Sequence, residues 1–172
     1  MAGDAVTGFF GKMPAHGDFV RRNLPASFVG PWDEWLQSGI AAAREELGEN
    51  WAAAWEGAPA WRFALPAGAC GPEPVAGLLL PSRDTVGRLF PLTLAAVPAA
   101  VQPGETWFAA LEALAREARA GGMDADRLAE ALPAPEGEGA EAPGWWTPEL
   151  EWPLAALLPA EEFALLLEVP HP

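Results

Sequence analysis

Two histidines, one cysteine, one lysine and no tyrosine leave this 172-residue chain short of the groups from which most catalytic and metal sites are built. A single thiol, Cys70, allows no intrachain disulfide and suits a reducing compartment. His16, His171 and Cys70 cannot supply the usual zinc ligand sets, so neither a metal nor a cofactor is expected. Cations are scarce as well. Ten Lys and Arg face 24 Asp and Glu, a formal charge of −14, which argues against nucleic acid and anionic membrane as partners. No apolar run approaches the roughly 18 residues of a membrane span. Met1-Ala2-Gly3-Asp4 has no signal-peptide character. A cytoplasmic protein without membrane insertion is expected.

The motifs of common chemistry are missing too. Gly11-Lys12 invites comparison with a phosphate-binding loop, but that loop needs glycine five residues before the Gly-Lys pair and Ser or Thr after it. Val6 and Met13 occupy those places. Ser27, Ser38 and Ser82 lie in no Gly-x-Ser-x-Gly turn. Asp33 with Glu34, and Glu45 with Glu46, flank helical stripes, where a solvated face is the ordinary role of carboxylates. A hydrolase using Asp18 and His16 stays open as an alternative, but the chain reads as a non-enzyme.

What the sequence has in quantity is core material: 51% hydrophobic residues, nine tryptophans and eight phenylalanines. A chain of this length suggests one domain, here residues 1–172, able to bury roughly 70% of its unfolded surface. Charge is unevenly spread. Met1 to Val97 carries 7 basic and 10 acidic residues, and the remainder 3 and 14.

Val6 to Phe10 reads as a strand entering a turn-rich loop, Gly11 to Asp18. Gly30-Pro31-Trp32-Asp33-Glu34 looks like a helix start, with proline at the first helical position and acids in the first turn. Trp32, Trp35, Leu36, Ile40, Ala43 and Leu47 then form a one-sided stripe that Gly48 ends. A weaker helical piece follows at Asn50 to Trp55. Trp61 to Leu65 alternates as a strand with one buried face, while Val75 to Leu80 is continuously apolar, as in a strand covered on both faces. Leu89 to Val97 is a third strand, with Pro91 placing its start at an edge or bulge. The last two strands form a hairpin around Pro81 to Arg88. Thr106 opens a helix carrying Trp107, Phe108, Leu111, Leu114 and Ala118, with Glu112 and Arg116 paired at i,i+4. Asp124 opens another, ending before Pro133. Residues 133–144 predict a mobile acidic loop, and Leu154 to Val169 a docking tail. This order predicts an α/β fold: a single-domain α-β-α sandwich with a mixed, partly antiparallel central sheet.

Three segments interrupt these plain elements: Gly11 to Val20, Trp61 to Pro66, and Pro81 to Leu92. With Pro31-Trp32-Asp33 and Gly144-Trp145-Trp146-Thr147, they resemble the TagF family, also called ImpM, accessory proteins of the bacterial type VI secretion system. Several separated motifs in the right order carry the resemblance, which is strongest over residues 9–97 and 144–147. No family pattern is visible between Pro98 and Gly144. Some members are fused to a protein phosphatase domain, for which this chain has no room. The resemblance implies a compact α/β sandwich and a post-translational repressor of secretion-apparatus assembly. It further implies action by binding other components, notably the forkhead-associated scaffold Fha. A structural accessory subunit of the machine is the other binding alternative.

Lys12, Arg21, Arg22, Arg62, Arg83 and Arg88 all fall in or beside the family-like segments. Several of them are expected to converge on one contact face; the alternative is that Asp18 or Asp84 pairs with Lys12, Arg62 or Arg88 and locks the loops against the sheet. The candidate partner-binding residues are therefore Lys12, Pro14, Gly17, Asp18, Arg62, Ser82, Arg83, Asp84, Arg88, Trp145 and Trp146. Trp32, Trp35 and Trp61 are expected in the core. Trp145 and Trp146 are adjacent and must point different ways; if one is buried, the other becomes a candidate anchor.

Overall fold

A computed structural model describes residues 5–139 and 142–168. Seven strands form one open sheet: β1 (Val6–Gly11), β2 (Val20–Arg22), β3 (Trp61–Leu65), β4 (Val75–Leu80), β5 (Leu92–Val97), β6 (Gly144–Trp146) and β7 (Glu151–Trp152). Their spatial order is β2-β1-β5-β4-β3-β6-β7. The sandwich is as expected, but every pairing is antiparallel, so the sheet is not mixed. The reason lies in the connections. The run β3-β4-β5 is a meander, and β1 joins it beside β5 running the other way, so no parallel crossover is needed.

One face of the sheet carries α1 (Ala26–Leu47), α2 (Trp51–Gly57) and a 3-10 helix, Ala160–Leu166. The other carries α3 (Glu105–Arg119) and α4 (Ala125–Ala131). Helix α1 buries Trp32, Trp35, Leu36, Ile40, Ala43 and Leu47, the expected stripe. It starts earlier than expected, at Ala26 after Pro25, and Pro31 lies inside it. Phe28 and Val29 are buried and extend the stripe one turn back, which outweighs the bond Pro31 cannot donate. Ser27, whose carbonyl loses that bond, has that carbonyl packed against Gly71, where any side chain would collide with it. Asp124 caps α4 as expected, accepting from the Arg127 N–H at 2.8 Å.

Strand β3 is buried along its whole length rather than on one face. It lies between β4 and β6 with helical layers on both sides, so even Arg62 is covered. Strand β5 begins only at Leu92, leaving Pro91 just outside a central strand. Helix α3 begins at Glu105 after Gly104, not at a Thr106 cap.

The tryptophans staple distant parts of this frame together. Indole N–H groups of Trp35, Trp61 and Trp145 donate to the carbonyls of Leu158, Leu166 and Ala156 at 2.7, 2.7 and 3.0 Å. The docking tail is thereby fixed to α1 and the sheet. Phe163 of the 3-10 helix comes so close to Gly39 of α1 that any side chain at that position would run into its ring. The acidic stretch after α4 folds back through Gly104 N–H to Glu136 O (3.0 Å) and Gly139 N–H to Gln102 O (2.8 Å). The other expectations for Ala140, Glu141, Val169, His171 and the first four residues lie outside the described residues.

Candidate functional site

Two loops at one end of the sheet, Lys12 to Phe19 after β1 and Pro81 to Pro91 after β4, are joined by a single carboxylate. Asp84 is fully buried. One of its oxygens accepts from the N–H groups of Val86 (3.0 Å) and Arg88 (2.9 Å), which closes a turn at Gly87. The other accepts from Lys12 Nζ (3.0 Å) and Arg88 Nε (2.7 Å). Burial pushes this carboxyl up. The Arg88 N–H, the Lys12 ammonium, the Arg88 guanidinium and the Val86 N–H together outweigh that and hold it well below the usual carboxylate range.

The two loops are then zipped. Thr85 N–H donates to His16 O (2.8 Å) and its hydroxyl to Pro14 O (2.7 Å). Arg88 Nη2 reaches Gly17 O (2.8 Å), and the Ser82 hydroxyl donates to Lys12 O (2.8 Å). His16 leans the other way: its Nε2 accepts the Ala125 N–H at 2.9 Å, anchoring the loop to the start of α4. Gly11 lies so close to the Pro91 carbonyl that a Cβ would collide with it, at φ +138°.

The result is a knuckle whose polar interior is satisfied and whose outer surface is partly apolar. Val86 is 69% exposed at its tip and Phe19 is 43% exposed on its flank. Phe19 is held by Phe10 (5.9 Å, stacked) and Phe90 (4.9 Å, edge-on), with Lys12 Nζ 5.0 Å from its ring centre. Asp18 and most of the Arg88 side chain complete the exposed surface.

Of the two arrangements expected for the cations, the geometry matches the lock: Asp84 pairs with Lys12 and Arg88. Lys12, Pro14, Gly17, Asp18, Ser82, Asp84 and Arg88 do come together in the knuckle, but Lys12, Ser82 and Asp84 are buried inside it. Arg62 is elsewhere, 8% exposed beneath α3, where its Nη1 meets both oxygens of Glu105 (2.6 and 2.7 Å). Arg22 pairs with Asp126 at the surface (3.0 Å). Arg83 turns away from Asp84, because neighbouring residues of an extended segment face opposite sides. It joins Arg116 and Arg119 at a separate pocket.

Trp145 is 0% exposed and packs on Trp32, Trp35 and Phe63, so it belongs to the core and offers no contact. Its neighbour Trp146 faces the opposite layer, half-buried edge-on against Phe108 at 5.0 Å. Sequence reasoning missed Phe19, Val86, Arg116 and Arg119. Phe19 and Val86 sit in segments already singled out, and apolar residues in a polar loop were the available signal. Among the described residues, no three His, Cys, Asp or Glu side chains group to hold a metal ion, and no helix is long and apolar enough to cross a membrane.

Residues 8–134 match the family model described as the TagF N-terminal domain, Type VI secretion system-associated. That match runs through the segment after Val97 in which no family pattern was visible. The chain is also similar to the crystal structure of PA0076 from Pseudomonas aeruginosa PAO1, determined at 2.05 Å. The TM-score is 0.82 at 32% identity, over 96% of this chain and 97% of that one. No curated protein matches the chain.

Proposed function

The chain belongs to the TagF family, associated with type VI secretion, and from that premise we propose that it is a non-enzymatic cytoplasmic regulator. It holds assembly of the secretion machine off after translation by binding another component, the forkhead-associated scaffold Fha. The observation that carries this reading is the knuckle. A buried carboxylate with four donors fixes two loops, and the fixed loops display Val86, Phe19, Arg88 and Asp18 on a strongly acidic protein. A preformed surface loses little conformational freedom when a partner docks, which favours binding.

The hydrolase alternative finds less support. His16 Nε2 is occupied by the Ala125 N–H, and Asp18 accepts from the Phe19 N–H (2.7 Å), so neither is turned toward the other as base and orienting group.

The test is recovery of secretion components by tagged protein from a strain with an intact type VI cluster. Wild type should bring down the scaffold. Val86→Asp and Arg88→Glu, with melting temperatures near that of wild type for the first, should not. If wild type recovers no secretion component at any salt concentration, the regulatory reading fails.

A further inference from the structure

Three arginines meet where the two helical layers approach each other around the end of β4. Arg83 comes from the residues just after the strand, and Arg116 and Arg119 from the last turn of α3. Together they line an open pocket of about 260 Å³, with Trp55 and Pro81 as an apolar wall and Glu56 at its side. Among the described residues, Arg83 and Arg119 have no carboxylate within ion-pair reach. Arg116 pairs with Glu112 at 3.3 Å, one turn back along α3. Positive charge is thus concentrated and poorly compensated at one place on a chain of formal charge −14.

We propose that this pocket binds a phosphoryl group. A guanidinium presents a planar fork of N–H donors that fits two oxygens at once. One carboxylate would satisfy one such fork and leave the others facing each other. A phosphoryl dianion, with three terminal oxygens, can engage three forks and cancel more of their mutual repulsion. Trp55, Pro81 and Ser82 on its lining are buried, which shields that side of the pocket from water and strengthens such contacts. An anion in the pocket would also favour the charged form of Arg119. Burial pushes its guanidinium down from its ordinary value, Arg116 adds to this, Glu56 opposes it, and Arg83 adds again. Arg116 and Arg119 also complement the dipole at the end of α3, a role that any helix terminus could give them. That role does not account for Arg83, which reaches the same pocket from the segment after β4.

The inference stands apart from the regulatory reading, because its readout is phosphate itself. The phosphoryl group could arrive as a free phosphate compound or on a phosphorylated side chain of a protein. The experiment is ¹H–¹⁵N NMR of the full chain titrated with inorganic phosphate at constant ionic strength, with chloride as the reference salt. The Trp55 indole and Arg119 Nε–H signals should shift and saturate. Arg119→Gln and Arg83→Gln should each weaken phosphate binding about tenfold or more, the worth of a charge-assisted hydrogen bond. Arg83 is exposed, so its replacement separates loss of binding from loss of fold. Arg127→Gln, outside the pocket, should bind as wild type does. A phosphoserine peptide binding more tightly than phosphate, with its unphosphorylated form inert, assigns the group to a protein side chain. Equal binding of peptide and phosphate assigns it to a free phosphate compound. The proposal is overturned if phosphate shifts these signals no more than chloride does, if the pocket variants titrate like wild type, or if an unphosphorylated acidic peptide binds as well.

Discussion

Trp145→Ala removes a ring with no exposed surface from between Trp32, Trp35 and Phe63, and with it the 3.0 Å hydrogen bond to Ala156 O. Neighbouring rings cannot collapse into a gap of that size, because Trp32 is itself tied to Thr93 Oγ1 at 2.9 Å and Trp35 to Leu158 O at 2.7 Å. Truncations of buried tryptophan cost about 3–5 kcal/mol, a large share of the roughly 5–15 kcal/mol by which domains are stable. At about 2–4 °C per kcal/mol for a chain of this size, the melting temperature should fall by about 6–20 °C. Trp145→Phe keeps most of the ring and loses the N–H, and should cost about 1–2 kcal/mol. The assay is thermal unfolding by far-UV circular dichroism, with urea titration to check that the slope is unchanged and only the midpoint moves. A fall below about 2 °C together with lost partner binding would refute the reasoning and make Trp145 a contact after all.

Asp84 makes stability depend on pH in a stated direction. Its folded-state pKa is depressed, so its contribution is complete above the unfolded carboxylate value of about 4 and is lost as pH falls through the folded one. Asp84→Asn should therefore melt lower at neutral pH and lose less on acidification than wild type; parallel melting curves between the two would contradict this. Burial pushes the Cys70 thiol up to about 11, so a disulfide reagent at pH 8 should label it only as fast as the protein unfolds. Rapid labelling of the native protein would show the site to be open. Gly39→Ala should cost about 1–3 kcal/mol through its clash with Phe163 and make the tail more sensitive to protease. Gly30→Ala, in the same helix with open space around it, should instead stabilise by about 0.5–1 kcal/mol.

The helical stripe of α1, the apolar run of β4 and the hairpin to β5 were legible because each is a local pattern of one element. Trp32, Trp35 and Trp61 could be placed in the core for the same reason. Pro31 misled because a proline near a helix start is usually its first residue, and only the packing of Phe28 reveals the extra turn. Adjacent Trp145 and Trp146 had to face opposite layers, but nothing local decides which layer is closed. The Asp84–Lys12 pair spans 72 residues, and Arg83 meets Arg116 only once the strand order is known. The all-antiparallel order was hidden for that reason too: strand neighbours are a property of the assembled sheet.

The indole bonds that fix the tail also set an order of events during synthesis. Trp35 and its acceptor Leu158 are separated by 123 residues. At about 5–20 residues per second, a ribosome needs on the order of 6–25 s to deliver the second after the first. Throughout that interval the aromatic face of α1 has no tail to cover it, and Trp61 waits likewise for Leu166. The native layer on that face of the sheet therefore closes only after residues 158–166 have been made, however early α1 forms its own helix.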